Sequence, residues 1–594
     1  MAVKNISSKM STCRLRADDH FLVAAIDFGT TYSGYAFLFR HDYIKNPTKI
    51  HTNRWISSSS DGAGATLKTP TCLLINSKDK KEIYFGYEAE GKMQELDLDK
   101  KLDGWYFFKH FKMTLHHEAE IHSHYKIKDV FGVEMKALTV FSLSIGYLKD
   151  HLLKSIHDQF PDLMPRDKDI VWVITVPAIW KDSAKKFMRK AAKKAGIPMR
   201  QLTIALEPEA ASLLCRELSI GNEASSRIST FKEGSRYMIL DCGGGTVDIT
   251  VHEVLSHNKL KEIHKATGGH LGGTKVNEAF RNFLVSLVGA KDLLTYQEHH
   301  KSDYLNIFYA FEVKKRNIPT EGNDKITLHL PLSFFQTFQD LELWVQETHY
   351  KDNVQIVGDK IRIHSDLFRE FFKDTIESIC LLVEDILRCV GHLEVIMMVG
   401  GFSESSILQK AIKDKFESKT KIIIPADASL CVMKGAVLWG HDPDIIASRK
   451  SRFTYGVALT VPFKKGIHPI HKKLVVEGEE LCDDIFDKHV EIGQSVSQDE
   501  YQSEKEYYPL TDRDTILPIE LYSSTSTSPK FVTDPSCKCI GKFSVKFPDD
   551  LGAKKEDRKV MVRMKFGSTD IVVEAIDKSG KIHTMKYSSL KGRR

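Results

Sequence analysis

Two short turns carry the residues of this chain best suited to holding a charged ligand. The run DCGGGTVDIT, residues 241–250, sets three glycines between an acid and a threonine. Three glycines in a row disfavour a helix or strand interior, since each gives up backbone entropy and packs no side chain. The bare amides of such a turn form a concavity for an anion. The stretch AIDFGTTYSGYAF, residues 25–37, follows the same plan as ILDCGGGTVDITV, residues 239–251. Each is an apolar strand ending in an acid, a small-residue turn carrying threonine, and a returning β-rich strand. Two such turns facing each other would clamp a polyphosphate. Asp27 and Asp241 would then hold a hydrated Mg²⁺, an ion that keeps several waters and needs few carboxylates, with hydroxyls from Thr30, Thr31 and Thr246 beside it. A third glycine turn, in VIMMVGGFSES, places Gly400 and Gly401 where bare backbone would pass close to a flat base or a ribose. None of these is a Walker A loop, because no G-x-x-x-x-G-K-[ST] run occurs.

The elements that must position these turns alternate in type up to about residue 440, which points to α/β layers. Strands are expected at 21–27, 35–39, 170–176, 237–241, 249–254 and 395–399. Helices are expected at 138–159, 183–195, 366–390 and 405–416, where apolar residues recur at three and four positions. The echo between the two turns suggests a duplicated subdomain, each copy lending one turn to a shared cleft. After about residue 441 the character changes. Asp442-Pro443-Asp444 breaks the last helix, and IIASRKSR reads as a polar connector. Short alternating strands then follow (474–476, 516–521, 542–545, 559–566, 571–576), separated by turn-rich loops such as YSSTSTSP. The expected division is therefore a polar tail at 1–20, a nucleotide-binding part at 21–445, a linker at 446–452 and a mostly-β domain at 453–594.

Composition narrows the class. The chain has 594 residues, 42% hydrophobic and 28% charged, with a net charge of +6. That length exceeds one hydrophobic core, and that charge is too small and too scattered for a nucleic-acid-binding face. The paired lysines at 185–186, 193–194 and 554–555 read as solvated faces. Ten cysteines lie scattered, mostly in apolar segments, which suits buried thiols in a reducing compartment. No apolar leader and no stretch of about 18 apolar residues is present, so neither secretion nor a membrane span is expected and the chain reads as cytoplasmic. Five histidines, His110, His116, His117, His122 and His124, suit no single helix face and read as a polar surface segment rather than a metal site.

The motifs DFGTTYSGYAF, DIVWVITVPAIW, ALEPEAAS, MILDCGGGTVDIT, TGGHLGGTKVN, EVKKR and MVGGFSES occur in the order seen in the seventy-kilodalton heat-shock chaperones, members of the actin-like ATPase superfamily. The resemblance covers about residues 21–440. The segments VMKGAVLWG, SRFTYGVAL, FVTDPSCKCIGKF and MKFGSTDIVVEAID are similar to the divergent heat-shock protein 12 branch of A and B type, to the C-terminus. The resemblance implies a two-lobed actin-like ATPase domain, lobe I at about 21–228 and 423–445 and lobe II at about 229–422, around a cleft for ATP or ADP with Mg²⁺. By the same resemblance, Asp27 and Asp241 hold the metal through water. Gly29, Thr30, Thr31 and Tyr32 form the first phosphate loop, and Gly243, Gly244, Gly245 and Thr246 the second. Glu207 orients the attacking water, and Asp248 is a second acid near it. Thr246 lends its hydroxyl beside the reacting phosphate. The phosphate lysine falls in YFFKHFKMTL, with Lys109 preferred over Lys112. Gly272, Gly273, Glu312, Lys315, Arg316, Gly400 and Gly401 fall where the family contacts adenosine. By residue type alone, the charged trio on its helix would be ordinary surface decoration.

Departures from the family pattern bear on affinity and turnover. Phe402-Ser403-Glu404 stands where the chaperones have Ser-Thr-Arg, so the arginine that packs on adenine is missing; Phe402 either stacks on the base or belongs to the core. Thr274-Lys275 replaces an acidic pair. No leucine-rich acidic linker, long helical lid or acidic terminal tetrapeptide is recognisable, so J-domain cochaperone coupling is not assumed. Three functions follow: an ATP-binding, chaperone-like stress-response protein with slow Mg²⁺-dependent hydrolysis; a nucleotide-binding scaffold with little hydrolysis; and a small-molecule kinase of the same fold, which the order of motifs disfavours. Protein clients or signalling partners would engage the C-terminal domain.

Overall fold

The computed structural model describes residues 20–56, 65–117, 121–122, 124–163, 165–220, 231–497, 500–547, 554–566 and 571–587. The expected polar tail lies outside these residues except for His20. Two sheets dominate the first three quarters of the chain, and they repeat one strand order. In the first, Leu22–Phe28 pairs antiparallel with Tyr32–Phe39 and parallel with Ile170–Val176, beyond which Leu202–Leu206 adds a further parallel strand. In the second, Arg236–Cys242 pairs antiparallel with Val247–Val254 and parallel with Val395–Val399, beyond which comes Lys421–Ile423. The registers agree as well. Asp27 faces Gly34 across the first hairpin, and Asp241 faces Asp248 across the second.

The central strands read as unbroken apolar runs because both of their faces are covered. Leu22–Phe28 is buried along its whole length. One face of the first sheet packs on the helices Ala137–Gln159 and Asp182–Lys194. Beneath both sheets run the helices Glu207–Ile220 and Cys431–His441, whose close crossing is set by Gly435: a Cβ there would lie 1.8 Å from the Ala210 carbonyl oxygen. The other face of the second sheet supports a larger aromatic-rich core that includes Phe280, Phe311 and Phe371.

The C-terminal quarter forms two antiparallel sheets. Thr454–Pro462 lies centrally in one, beside Glu479–Val490, and Val560–Phe566 lies inside the other. They share a core containing Tyr455, Leu521, Val562 and Val573.

Three local expectations change. Residues 446–450, read as a polar connector, form the strand Ile446–Lys450. It lies in the second large sheet between Leu260–Gly269 and Ser495–Ser497, the latter drawn from the C-terminal quarter. Its polar groups meet buried partners: the Arg449 side chain makes a two-pronged ion pair with Glu209 at 2.7 and 2.8 Å, and the Lys450 backbone amide donates to Glu262 at 3.0 Å. Lys185, read as solvated, is buried, and burial followed by the nearby Arg452 charge pushes its ammonium down to about 7. The histidine-bearing segment is not all surface, because Phe111, Lys112 and Leu115 turn inward. No disulfide links the described cysteines. No described helix is long and apolar enough to cross a membrane.

Candidate functional site

The two glycine turns meet face to face. A Cβ on Gly244 would lie 2.0 Å from the Thr31 hydroxyl oxygen, and one on Gly245 would lie 2.6 Å from the Thr30 methyl and 2.5 Å from the Met113 sulfur. Glycine is therefore required by close approach between the turns as well as by backbone freedom. The Gly272-Gly273 stretch braces the second turn: the amides of Gly272, Gly273 and Thr274 donate to the carbonyls of Gly245, Gly243 and Gly244 at 3.2, 3.2 and 2.8 Å. Gly400, at φ +86°, lies against Asp241, where a Cβ would approach the carboxylate to 2.4 Å; Gly401 faces open space.

Between the turns opens a cavity of about 530 Å³. Its walls carry Asp27, Gly29, Thr30, Thr31, Tyr32, Glu207, Asp241, Gly243, Gly244, Gly245, Thr246, Gly273, Glu312, Lys315, Arg316, Gly400, Gly401 and Phe402. Gly272 and Asp248 are the candidates set behind this surface. Gly272 spends its amide on the second turn, and Asp248 accepts from the Ile179 amide at 2.9 Å.

Lys109, the preferred phosphate lysine, is not part of the cavity wall, whereas Lys112 is. Lys109 ends the strand Trp105–Lys109 in an ion pair with Glu90 at 3.1 Å, its ammonium 4.0 Å over the Tyr309 ring. His110 then takes a left-handed conformation, φ +54°, and the single turn Phe111–Met113 swings Lys112 into the cavity. The Lys112 ammonium lies 2.7 Å from Glu207 Oε1 and 5.3 Å over the Trp180 ring.

Four acids converge here, exposed by only 3% (Asp27), 5% (Asp241), 1% (Asp248) and 9% (Glu207). Burial, then the charges of Glu207, Asp248 and Asp27, push Asp241 far above the carboxylate range. Burial also raises Glu207, to about 7, against the pull of Lys112 and with the repulsion of Asp248 and Asp27. Asp248 is raised by burial, which its hydrogen bonds to Ile179 and Thr246 only partly offset. Asp27 alone is lowered: burial opposes ionisation, but Lys68 at 2.7 Å and the Thr175 hydroxyl at 2.7 Å outweigh it. Such a cluster repels additional negative charge and attracts cations. No three His, Cys, Asp or Glu side chains among the described residues converge to ligate a metal directly. The donor set therefore suits an ion met through its own water shell, as Mg²⁺ prefers.

At the other end of the cavity, the charged trio of the helix Lys301–Asn317 is tied into its surroundings, with Lys315 buried and Arg316 exposed. Lys315 is buried, donating to the Gly273 carbonyl at 3.1 Å and to Asn277 at 2.8 Å, and it pairs with Glu312 at 2.6 Å. Arg316 lies 4.8 Å over the ring of Tyr32, joining this helix to the first turn. Phe402 belongs to the core, parallel to Phe372, while its edge reaches the cavity beside Gly273. Lys68 is a cavity-lining cation that sequence reading missed. It lies 41 positions from Asp27 in no recognisable motif, and it is brought close by a two-residue strand, Thr69–Pro70.

Strand-end acids facing across paired glycine turns, in two sheets of one order, define the class: the chain belongs to the Hsp70 family, whose Hsp70 protein domain matches residues 165–461. Within that family it falls with the divergent 12A and 12B branch. It is 34% identical to Heat shock 70 kDa protein 12A of Mus musculus, over 94% of this chain and 89% of that protein. It is 33% identical to Heat shock 70 kDa protein 12B of Homo sapiens over the same shares. To the Chaperone protein DnaK of Picrophilus torridus it is 24% identical, over 48% of this chain and 42% of that one. Family membership carries an actin-like ATPase fold and a nucleotide-binding, chaperone-like character.

Proposed function

We propose that this protein binds ATP and ADP with Mg²⁺ between two lobes and hydrolyses ATP slowly, closure of the lobes being the output. The lobes would comprise about 21–228 with 423–445, and about 229–422, with 453–594 as the part that meets protein clients or signalling partners. The observation that carries this reading is the face-to-face packing of Gly244 on Thr31, beside the Lys112–Glu207 pair. Amides and threonine hydroxyls of both turns would grip the phosphates, which is where phosphoryl transfer gains most from preorganised donors. Lys112 would place positive charge beside the terminal phosphate. Glu207, poised near neutrality, would orient the attacking water and accept its proton. When bound, Mg²⁺ would neutralise phosphate charge, held through water by Asp241 and its neighbouring acids. Lys315 and Arg316 would flank the nucleoside.

Mg·ATP binding by calorimetry, with phosphate release from the same full-length preparation, tests the reading. Wild type binding ATP and releasing phosphate, with Glu207→Gln binding but not releasing, is the expected result. Absence of binding at millimolar ATP would overturn the cleft assignment. A second reading has its own support. The Lys112–Glu207 ion pair engages two groups that hydrolysis needs, which favours a nucleotide-holding scaffold if binding occurs without release above the Glu207→Gln background.

A further inference from the structure

Among the positions at which the two hairpins differ, the one across from the strand-end acid lies beside an extra cation in the cleft. Across from Asp241 stands Asp248; across from Asp27 stands Gly34. A Cβ on Gly34 would lie 2.9 Å from the Met433 sulfur, 3.1 Å from the Leu67 carbonyl oxygen and 3.1 Å from Lys68 Cγ, so the glycine leaves space shared by the lysine stem and its neighbours. Pairing of Thr69 with Ser33 and of Pro70 with Tyr32 fixes the adjoining backbone against the first turn. The Lys68 side chain is 17% exposed and lines the cleft, with its ammonium 2.7 Å from Asp27 Oδ2. Asp27 Oδ1 receives the Thr175 hydroxyl, so both oxygens of this acid already carry protein donors.

We propose that Lys68 is a phosphate-binding residue of this cleft, a resident ammonium that lets it hold a nucleoside di- or triphosphate without a divalent cation. The proposal rests on the nucleotide reading given above. An ammonium has three donors. One is engaged by Asp27, and the cleft-facing remainder is available to phosphate oxygens. A hydrated Mg²⁺ approaching Asp27 must share the acid with this ammonium. The positive charge that phosphates need is therefore present before any metal arrives.

The test is calorimetric titration of full-length protein with ADP and with ATP, in excess Mg²⁺ and in excess EDTA. Wild type, Lys68→Met and Lys68→Arg are compared. Wild-type affinity is expected to fall less than about tenfold on chelation, whereas Lys68→Met should lose at least about a hundredfold and Lys68→Arg should stay near wild type. A lysine that merely supported the fold would shift both conditions together and leave the ratio unchanged. A wild-type protein that loses nucleotide binding altogether in EDTA would overturn the proposal without any variant having to fold. A Lys68→Met protein with the wild-type ratio would do so too. No binding by wild type even in Mg²⁺ would instead sink the nucleotide reading, and this proposal with it.

Discussion

The ammonium of Lys112 and the carboxylate of Glu207 stand 2.7 Å apart, 95 positions distant in the chain. Both are shut away from solvent except through the cleft. Replacing Lys112 by Met removes the charge proposed to stabilise the transferring phosphate. Loss of one preorganised electrostatic donor lowers turnover by about a hundredfold or more. Lys109→Met breaks the largely buried pair with Glu90, which lies off the cavity wall, and should lower phosphate release far less than Lys112→Met does. Steady-state phosphate release on the two variants separates the two lysines.

Gly244→Ala is expected to weaken both fold and nucleotide affinity. The added methyl would sit 2.0 Å from the Thr31 oxygen, so the turns must part. Overpacking of this kind costs about 1–3 kcal/mol. Gly401→Ala adds its methyl to open cavity space and should melt as wild type while reducing ATP affinity. Thermal unfolding with and without ATP distinguishes the two: ligand stabilisation should shrink in both variants, but the unliganded melting temperature should fall only in Gly244→Ala.

Arg449→Met leaves Glu209 buried opposite an apolar side chain. Burial opposes the Glu209 charge, and Arg449 outweighs it, holding the acid below its ordinary range. Breaking a buried pair from one side costs about 3–5 kcal/mol. Adding Glu209→Gln to Arg449→Met should recover part of that loss, which denaturant unfolding of the single and double variants would read.

Acid should destabilise the protein through histidines held neutral. Burial drives His252 down to about 4, and neither of its ring nitrogens makes a hydrogen bond. Burial likewise lowers His489 to about 4 beside Tyr507. With the folded values below the ordinary histidine range, the unfolded chain takes up protons first as pH falls from about 6.5 towards 4, and stability present at neutral pH is lost across that window. Melting temperatures at pH 7 and pH 5 should differ, and His252→Phe should narrow the difference.

Much of the site could be read from the residues because its parts are local. An apolar run ending in Asp, then glycine and threonine, names a strand and its turn together, and both hairpins formed where expected. Strands 170–176 and 395–399 also matched to the residue. What the residues did not make legible has physical causes. Lys109 and Lys112 are separated by a left-handed histidine, a conformation that no periodicity announces. Lys68 reaches the cleft through a two-residue strand, too short to show alternation. Ile446–Lys450 looked like solvent-exposed chain because its arginine finds its partner on a helix more than two hundred positions earlier.

That last strand has a practical consequence. On one flank it pairs with Leu260–Gly269 and on the other with Ser495–Ser497. A fragment cut at residue 452, where composition changes, would keep the first neighbour and lose the second. Its new border would be a raw row of amides and carbonyls, the kind of edge that recruits another chain. The isolated front piece should therefore self-associate as it is concentrated, and any activity measured on it would report on clusters. Only a cut that carries residues 495–497 along, or leaves the chain whole, respects the seam that the fold itself has drawn.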